Sequence, residues 1–182
     1  SEIEEIKRRL EETNKRVREK NKRSVDRIKE HLERSRRRVE EIIRRIEKLL
    51  EELEEKARRT DISDDVIREL KKRLEDILKE LEEHHKRNKE DSDRNRKELE
   101  ETLRRLKKKH EDIKRELEKM DVDEKLLRDL EKALRDSIRT LKRSVEENDR
   151  INKEANEDSE RLLRELKKVL EKAKKDVDEL RR

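Results

Sequence analysis

Apolar residues recur along this chain with the spacing of one face of an α-helix, and this spacing restricts the fold to long amphipathic helices. In the first third of the chain, successive inward positions are separated by steps of three, four, three, four and four, and the same steps then repeat, so that position 3 returns at 21 and 39. Five turns of a free α-helix take about 18 residues, so this 18-residue repeat matches it, unlike the shorter heptad repeat of a left-handed supercoil. The pattern therefore predicts a nearly straight helix whose inward positions are 3, 6, 10, 13, 17, 21, 24, 28, 31, 35, 39, 42, 46, 49 and 53.

The same repeat occurs in two later segments. It begins with positions 66, 70, 74, 77 and 81 in the second segment and with 126, 130, 134, 137 and 141 in the third, and each position returns in the next repeat. Further apolar residues beside the stripe widen it to the face that a helical bundle buries. They are Val25, Leu32, Ile43, Leu50, Leu78, Leu103 and Leu163.

Two short breaks separate the three segments. Both contain an Asp, a β-branched residue and then a residue that can cap the next helix, Ser63 in the first break and Asp123 in the second. Connections this short make neighbouring helices antiparallel. We therefore predict an all-α fold, a straight up-down-up three-helix bundle. It would form a single domain over residues 1–182, with helices at roughly 2–59, 64–119 and 124–181.

The composition excludes several classes of function. Charged residues make up 61% of the chain, which alone would suggest disorder, but the strict apolar period indicates folded helices. The chain has no Cys for disulfides or thiolate zinc sites, no aromatic residue for base stacking and no Gly for a phosphate-binding loop. A net charge of +5 from 58 basic and 53 acidic residues indicates a solvated surface rather than a nucleic-acid site. We expect no cofactor, no nucleic-acid or membrane partner and no targeting signal, so the localisation is left open.

Polar side chains interrupt the apolar stripe in the middle of every helix. We predict that residue i of the first helix lies level with residue 124−i of the second and residue 119+i of the third, to within a position or two. Six successive layers then each contain a polar side chain, whereas the layers at both ends are apolar. The predicted layers are Asn21, Thr102 and Leu141; Ser24, Leu99 and Ser144; Ile28, Asn95 and Asn148; His31, Ser92 and Asn152; Ser35, Asn88 and Ala155; and Val39, His84 and Ser159.

A buried amide or hydroxyl without a partner costs roughly 1–3 kcal/mol. The inward polar residues are therefore predicted to pair with one another across the helices. A slipped register would leave them unpaired, so such a network would fix which helix positions meet. Thr13, His110 and Ser137 extend the predicted polar core towards one end.

With these features the whole chain resembles de novo designed helical bundles that contain buried hydrogen-bond networks. The resemblance depends on the repeated loop, the 18-residue period and inward polar residues. It implies a stable scaffold or switch and no enzymatic activity. The residues that carry it most clearly are Asn88, Ser92, Asn95, Asn148 and Asn152.

The histidines allow two interpretations. His31, His84 and His110 lie at least about 13 Å apart along the predicted axis, using the helical rise, and so cannot share a metal ion. They could make the protein a pH-responsive switch, because protonation of a buried neutral His is penalised. The other interpretation is that they are simply members of the network. We expect a monomer, with a homo-oligomer or one component of a designed hetero-oligomeric bundle as the alternative.

Overall fold

The computed structural model describes residues 2–59 and 61–180, and within these residues it is all-α. The three helices are α1 (Glu2–Ala57), α2 (Asp64–Lys119) and α3 (Glu124–Glu179), and each contains 56 residues. The predicted three-helix fold is confirmed. Within the described residues, no helix is both long enough and apolar enough to cross a membrane.

One predicted helix end differs from the structure. Helix α1 ends at Ala57 instead of residue 59. The amides of Arg58 and Arg59 donate to the carbonyls of Glu55 and Lys56, so a tighter turn closes the helix. Helix α3 ends at Glu179, and the predicted end at residue 181 lies outside the described residues.

The first break caps α2 as predicted. The amide of Val66 donates to the hydroxyl of Ser63 at 3.4 Å, and the acidic residues Asp64 and Asp65 occupy the first turn. A hydroxyl acceptor and negative charge both stabilise the amino end of a helix, where the first N–H groups have no partner in the helix. After the second break, α3 begins at Glu124, directly after the predicted cap Asp123.

The chain contacts group into two compact units, and each unit contains a part of all three helices. Unit 1 consists of Ser1–Lys29 and Ser92–Lys153, and unit 2 consists of Glu30–Asp91 and Glu154–Arg182. The single domain proposed from the sequence therefore stays a prediction. The two units are described separately below.

Each unit has an apolar core built from the predicted stripe. In unit 2, Ile42 and Leu49 of α1 pack with Ile67 of α2 and Val177 of α3, and all four are almost fully buried. In unit 1, one cluster is formed by Ile6, Leu10, Ile113, Leu117, Leu130 and Leu134, and a smaller one by Val17, Leu106 and Leu141. Burial of these side chains is the main source of stability, at about 25 cal/mol per Å² of apolar surface.

Pairs between α1 and α2 agree with the predicted register. Arg27 and Glu98 of unit 1 lie 3.6 Å apart, within one position of the expected pairing. In unit 2, Arg73 bonds to Glu52, and this guanidinium holds the pKa of the Glu52 carboxyl below its usual range. The two helices therefore run antiparallel.

Several predicted partners on α3 are wrong. In unit 1, Asn14 contacts Ser137 instead of residue 133, and Asn21 bonds to Asn148 instead of residue 140. In unit 2, Glu82 pairs with Lys167 at 3.0 Å, where residue 161 is predicted. These partners lie one to two turns further along α3. Whole turns keep the same helix face inward, so the apolar period does not distinguish such registers.

Candidate functional site in the polar core

One chain of hydrogen bonds in unit 1 joins all three helices. His110 of α2 donates from Nδ1 to the carbonyl of Leu106 at 2.7 Å, and its Nε2 lies 2.8 Å from the hydroxyl of Ser137 on α3. The Ser137 hydroxyl also contacts the side-chain oxygen of Asn14 on α1. His110 is 1% exposed and Ser137 is 8% exposed, so water does not compete for these bonds.

A second group of bonds in unit 2 has its centre at His84. The amide nitrogen of Asn88 donates both to the hydroxyl of Ser35 at 2.9 Å and to Nε2 of His84 at 3.2 Å. The Ser35 oxygen lies 3.0 Å from the same Nε2. Because an amide NH₂ group can only donate, His84 accepts at Nε2 and is neutral in this arrangement.

Burial favours the neutral form of His84. Desolvation is the largest influence and lowers the pKa of His84 below its ordinary value of 6.5. The positive charge of Arg38, together with His31, Arg87 and His85, acts in the same direction. Hydrogen bonding and electrostatics therefore favour the same protonation state.

The other two histidines of unit 2 meet partners on neighbouring helices. Nδ1 of His85 lies 3.2 Å from the hydroxyl of Ser159 on α3. The sequence pattern places Ser159 in a layer with the neighbouring His84, within one position of this contact. His31 is half-buried, and its Nδ1 lies 3.8 Å from a carboxylate oxygen of Asp91, an attraction that requires the charged imidazole.

Asn148 is the most deeply buried amide in the described core. Its nitrogen donates to the side-chain oxygen of Asn21 at 2.8 Å and so connects α3 to α1. The residue is 1% exposed. The sequence pattern places Asn148 in a layer with Ile28 and Asn95, and the shifted register of α3 explains the different partner.

Some predicted network residues bond within their own helix. The hydroxyl of Thr13 donates to the carbonyl of Arg9 at 2.8 Å, and that of Ser144 donates to the carbonyl of Thr140 at 3.0 Å. A hydroxyl in a helix can reach this acceptor one turn back, so it needs no partner across the bundle. The two residues therefore contribute nothing to helix pairing through these bonds.

Four buried polar atoms in unit 1 have no hydrogen-bond partner on the protein. They are the hydroxyl of Ser24, the amide nitrogens of Asn95 and Asn152, and the side-chain oxygen of Asn148. Ser92 and Thr102, also predicted for the network, are half-buried. Unit 1 therefore combines a well-bonded chain at His110 with a region where polar groups lack acceptors and donors.

The inward positions of the sequence pattern miss Asn14 and His85 as members of these groups. Both lie beside the inward stripe, not on it. Leu32 stands one repeat after Asn14, and Leu103 stands one repeat after His85. Leu103 is half-buried, so the same 18-residue repeat could have identified His85. Leu32 is 37% exposed, so its predicted place on the buried face is wrong and it gives no such signal for Asn14.

The described residues contain no group of three or more His, Cys, Asp or Glu side chains that could hold a metal ion. The polar core consists instead of Asn, Ser and His side chains that donate and accept hydrogen bonds. Its chemistry is hydrogen bonding between helices.

No family model matches the chain, and no curated protein gives a significant match. A solved structure described as "Computationally designed three helix bundle" is similar to it with 22% sequence identity, over 98% of this chain and 87% of that chain, at a TM-score of 0.38. The three-helix architecture of this chain is established by its own helices and their contacts.

We predict an energetic coupling between Asn14 and Ser137. In a double-mutant cycle of Asn14→Ala and Ser137→Ala, the coupling should be about 0.5–1.5 kcal/mol in the free energy of unfolding, measured by guanidinium titration. The control cycle combines Ser137→Ala with Thr13→Val, because the Thr13 hydroxyl bonds to its own helix. The control coupling should be near zero. Equal couplings in both cycles would show that the cross-helix bond is not specific.

Proposed function

We propose that this chain is a designed structural scaffold in which polar core side chains determine the pairing and register of the helices. The observation that carries the proposal is the hydrogen-bond chain of Asn14, His110 and Ser137, which takes one side chain from each helix. The absence of any matching natural family supports a designed origin. The apolar clusters of both units supply the stability, and the polar groups supply the specificity.

Polar groups are needed for specificity because the apolar period alone determines the register of the helices only weakly. A slip of α3 by one turn keeps Leu and Ile side chains facing inward, so an all-apolar core would tolerate it. The same slip would remove Ser137 from both Asn14 and His110. Each buried group left unpaired would cost roughly 1–3 kcal/mol.

We further propose that the chain is not an enzyme. The hydroxyl of Ser137 is engaged by Asn14 and His110, and that of Ser35 by Asn88 and His84. A serine nucleophile needs a free hydroxyl beside an oriented base and a set of donors for the developing oxyanion. The hydrogen bonds of these two serines instead satisfy the core.

A monomer is the proposed state in solution. Only Leu32 and Val169 are exposed large hydrophobic residues within the described part of the chain, at 37% and 38%. Interfaces between subunits usually need a contiguous apolar patch, and two separate residues do not provide one.

The scaffold proposal predicts that removal of the polar chain affects uniqueness more than stability. Wild-type protein should show a mass near 22.6 kDa by light scattering and one set of methyl NMR signals. The triple variant Asn14→Leu, His110→Leu and Ser137→Val should resist guanidinium at least as well. It should nevertheless show several sets of methyl signals or a larger mass, because its register is no longer fixed.

Two results would contradict the scaffold proposal. One is a wild-type mass that is a multiple of 22.6 kDa, because the chain would then be a component of an oligomer. The other is a triple variant that remains a monomer with a single set of signals. In that case the polar chain would not determine the register.

A second candidate function is a pH-responsive switch, and the bonds at His84 favour it. The side-chain NH₂ of Asn88 donates to Nε2 of His84. Protonation of that nitrogen would bring its new N–H group against the NH₂ of Asn88, and neither group can accept a hydrogen bond. Protonation therefore breaks the bond between Asn88 and His84 within α2, next to the position where both side chains contact Ser35 of α1.

The switch predicts a loss of stability in acid. The pKa of folded His84 lies below 6.5, so the unfolded chain binds more protons as the pH falls below 6.5. The stability contributed by neutral His84 is fully present above pH 6.5 and is lost as the pH falls towards the folded pKa. The guanidinium midpoint, followed by circular dichroism, should therefore be lower at pH 5.0 than at pH 7.5.

Substitution of His84 isolates this contribution. The fall of the midpoint should be smaller in His84→Asn, whereas the neighbouring control His85→Asn should retain it. An equal fall in wild type and in His84→Asn would contradict the switch.

A further inference from the structure

Unit 1 contains a cleft of about 360 Å³ in its polar region. Its lining includes Val17 and Ser24 of α1, Asn95 of α2, and Leu141 and Val145 of α3. The volume lies at the lower end of the range found for small-molecule sites in proteins.

The 18-residue repeat explains why the cleft exists. Ser24 stands one repeat after Ile6 and one repeat before Ile42, and both isoleucines are buried in apolar clusters. Ser144 stands in the same relation to Leu126 and Leu162, and it also lines the cleft. Small side chains at positions where the repeat otherwise places Ile and Leu leave space that the neighbouring helices do not fill.

Two residues that line the cleft each have a buried hydrogen-bonding group without a partner on the protein. The hydroxyl of Ser24, a residue 7% exposed, has no partner on the protein, and neither does the amide nitrogen of Asn95. An amide nitrogen only donates, and a hydroxyl can donate, so both groups can bind the same acceptor oxygen. An acceptor placed between them would remove the penalty of two unpaired buried groups.

The arginines that line the cleft are paired with carboxylates of the protein itself. Arg27 pairs with Glu98 at 3.6 Å, and Arg105 pairs with Glu101 at 3.1 Å. An ion that entered the cleft would lose its hydration and find these charged groups already neutralised. The site therefore suits an uncharged ligand.

We propose that this cleft binds a small uncharged amide. The carbonyl oxygen of the ligand accepts from Asn95 and Ser24, and its hydrocarbon part packs against Val17, Leu141 and Val145. This binding site is additional to the scaffold function and does not depend on the hydrogen bonds at His110 or His84.

The test is an NMR titration of the full-length protein with δ-valerolactam, a small cyclic amide. Signals of the Asn95 side-chain NH₂ and of the Leu141 and Val145 methyl groups should shift and saturate, with a Kd of about millimolar. Sodium valerate, of similar size but charged, should bind at least tenfold more weakly. Ser24→Leu should fill the cleft and weaken lactam binding at least tenfold, whereas the matched Ser35→Leu in unit 2 should not.

The wild-type titration decides the proposal even if a variant fails to fold. The proposal would be overturned by chemical shifts that rise linearly without saturation, or by shifts that are no larger for cleft residues than for other residues. Either result would mean that the lactam does not bind in the cleft. Equal binding by wild type and a folded Ser24→Leu protein, with folding checked by circular dichroism, would also overturn it. The scaffold proposal is tested by the mass of the wild-type protein and the number of its methyl NMR signals, and neither depends on the lactam titration. The two proposals can therefore fail independently.

Discussion

Hydrogen bonds between buried polar side chains on different helices are the interaction on which the proposed register of the helices depends. Apolar burial drives the three helices together, but it is satisfied by several registers that differ by whole turns. Hydrogen bonds such as those from Ser137 to Asn14 and from Asn148 to Asn21 are satisfied in one register only. Under the proposed function, the polar groups therefore select among packings that the apolar stripe makes possible.

The two units use this constraint differently. In unit 2, the connection of Ser35, His84 and Asn88 is compact and favours the neutral imidazole. In unit 1, the chain at His110 is well bonded, whereas Ser24 and Asn95 face a cleft with unused donors. We propose that the His84 and His110 groups give specificity. We also propose that the cleft at Ser24 and Asn95 leaves a place where a ligand can accept hydrogen bonds.

Much of the architecture could be predicted from the sequence because a single helical period and two short loops determine it. The stripe identifies the buried cores, for example Ile42 and Leu49, and the α1–α2 register follows from the first loop. The position of α3 could not be predicted in the same way. A shift by whole turns leaves the stripe unchanged, so the period places Asn148 in the wrong layer.

The polar groups were also only partly predictable. Inward positions identify His110, Ser137 and Asn88 as polar core residues, and the structure shows cross-helix bonds for each. Asn14 and His85 lie beside the stripe, where polar residues are usually solvated, so period alone does not reveal their partners. Whether a hydroxyl bonds across helices or to its own backbone, as Ser144 does, depends on distances that a sequence does not contain.

The most direct measurement is the nuclear Overhauser effect from the side-chain NH₂ of Asn148 in the full-length protein. If polar pairing sets the register, these protons should show contacts to the β-protons of Asn21, to which Asn148 donates at 2.8 Å. Contacts to the methyl groups of Ile28 instead, with none to Asn21, would place α3 in the register derived from the apolar period. That result would contradict the claim that polar groups select the packing.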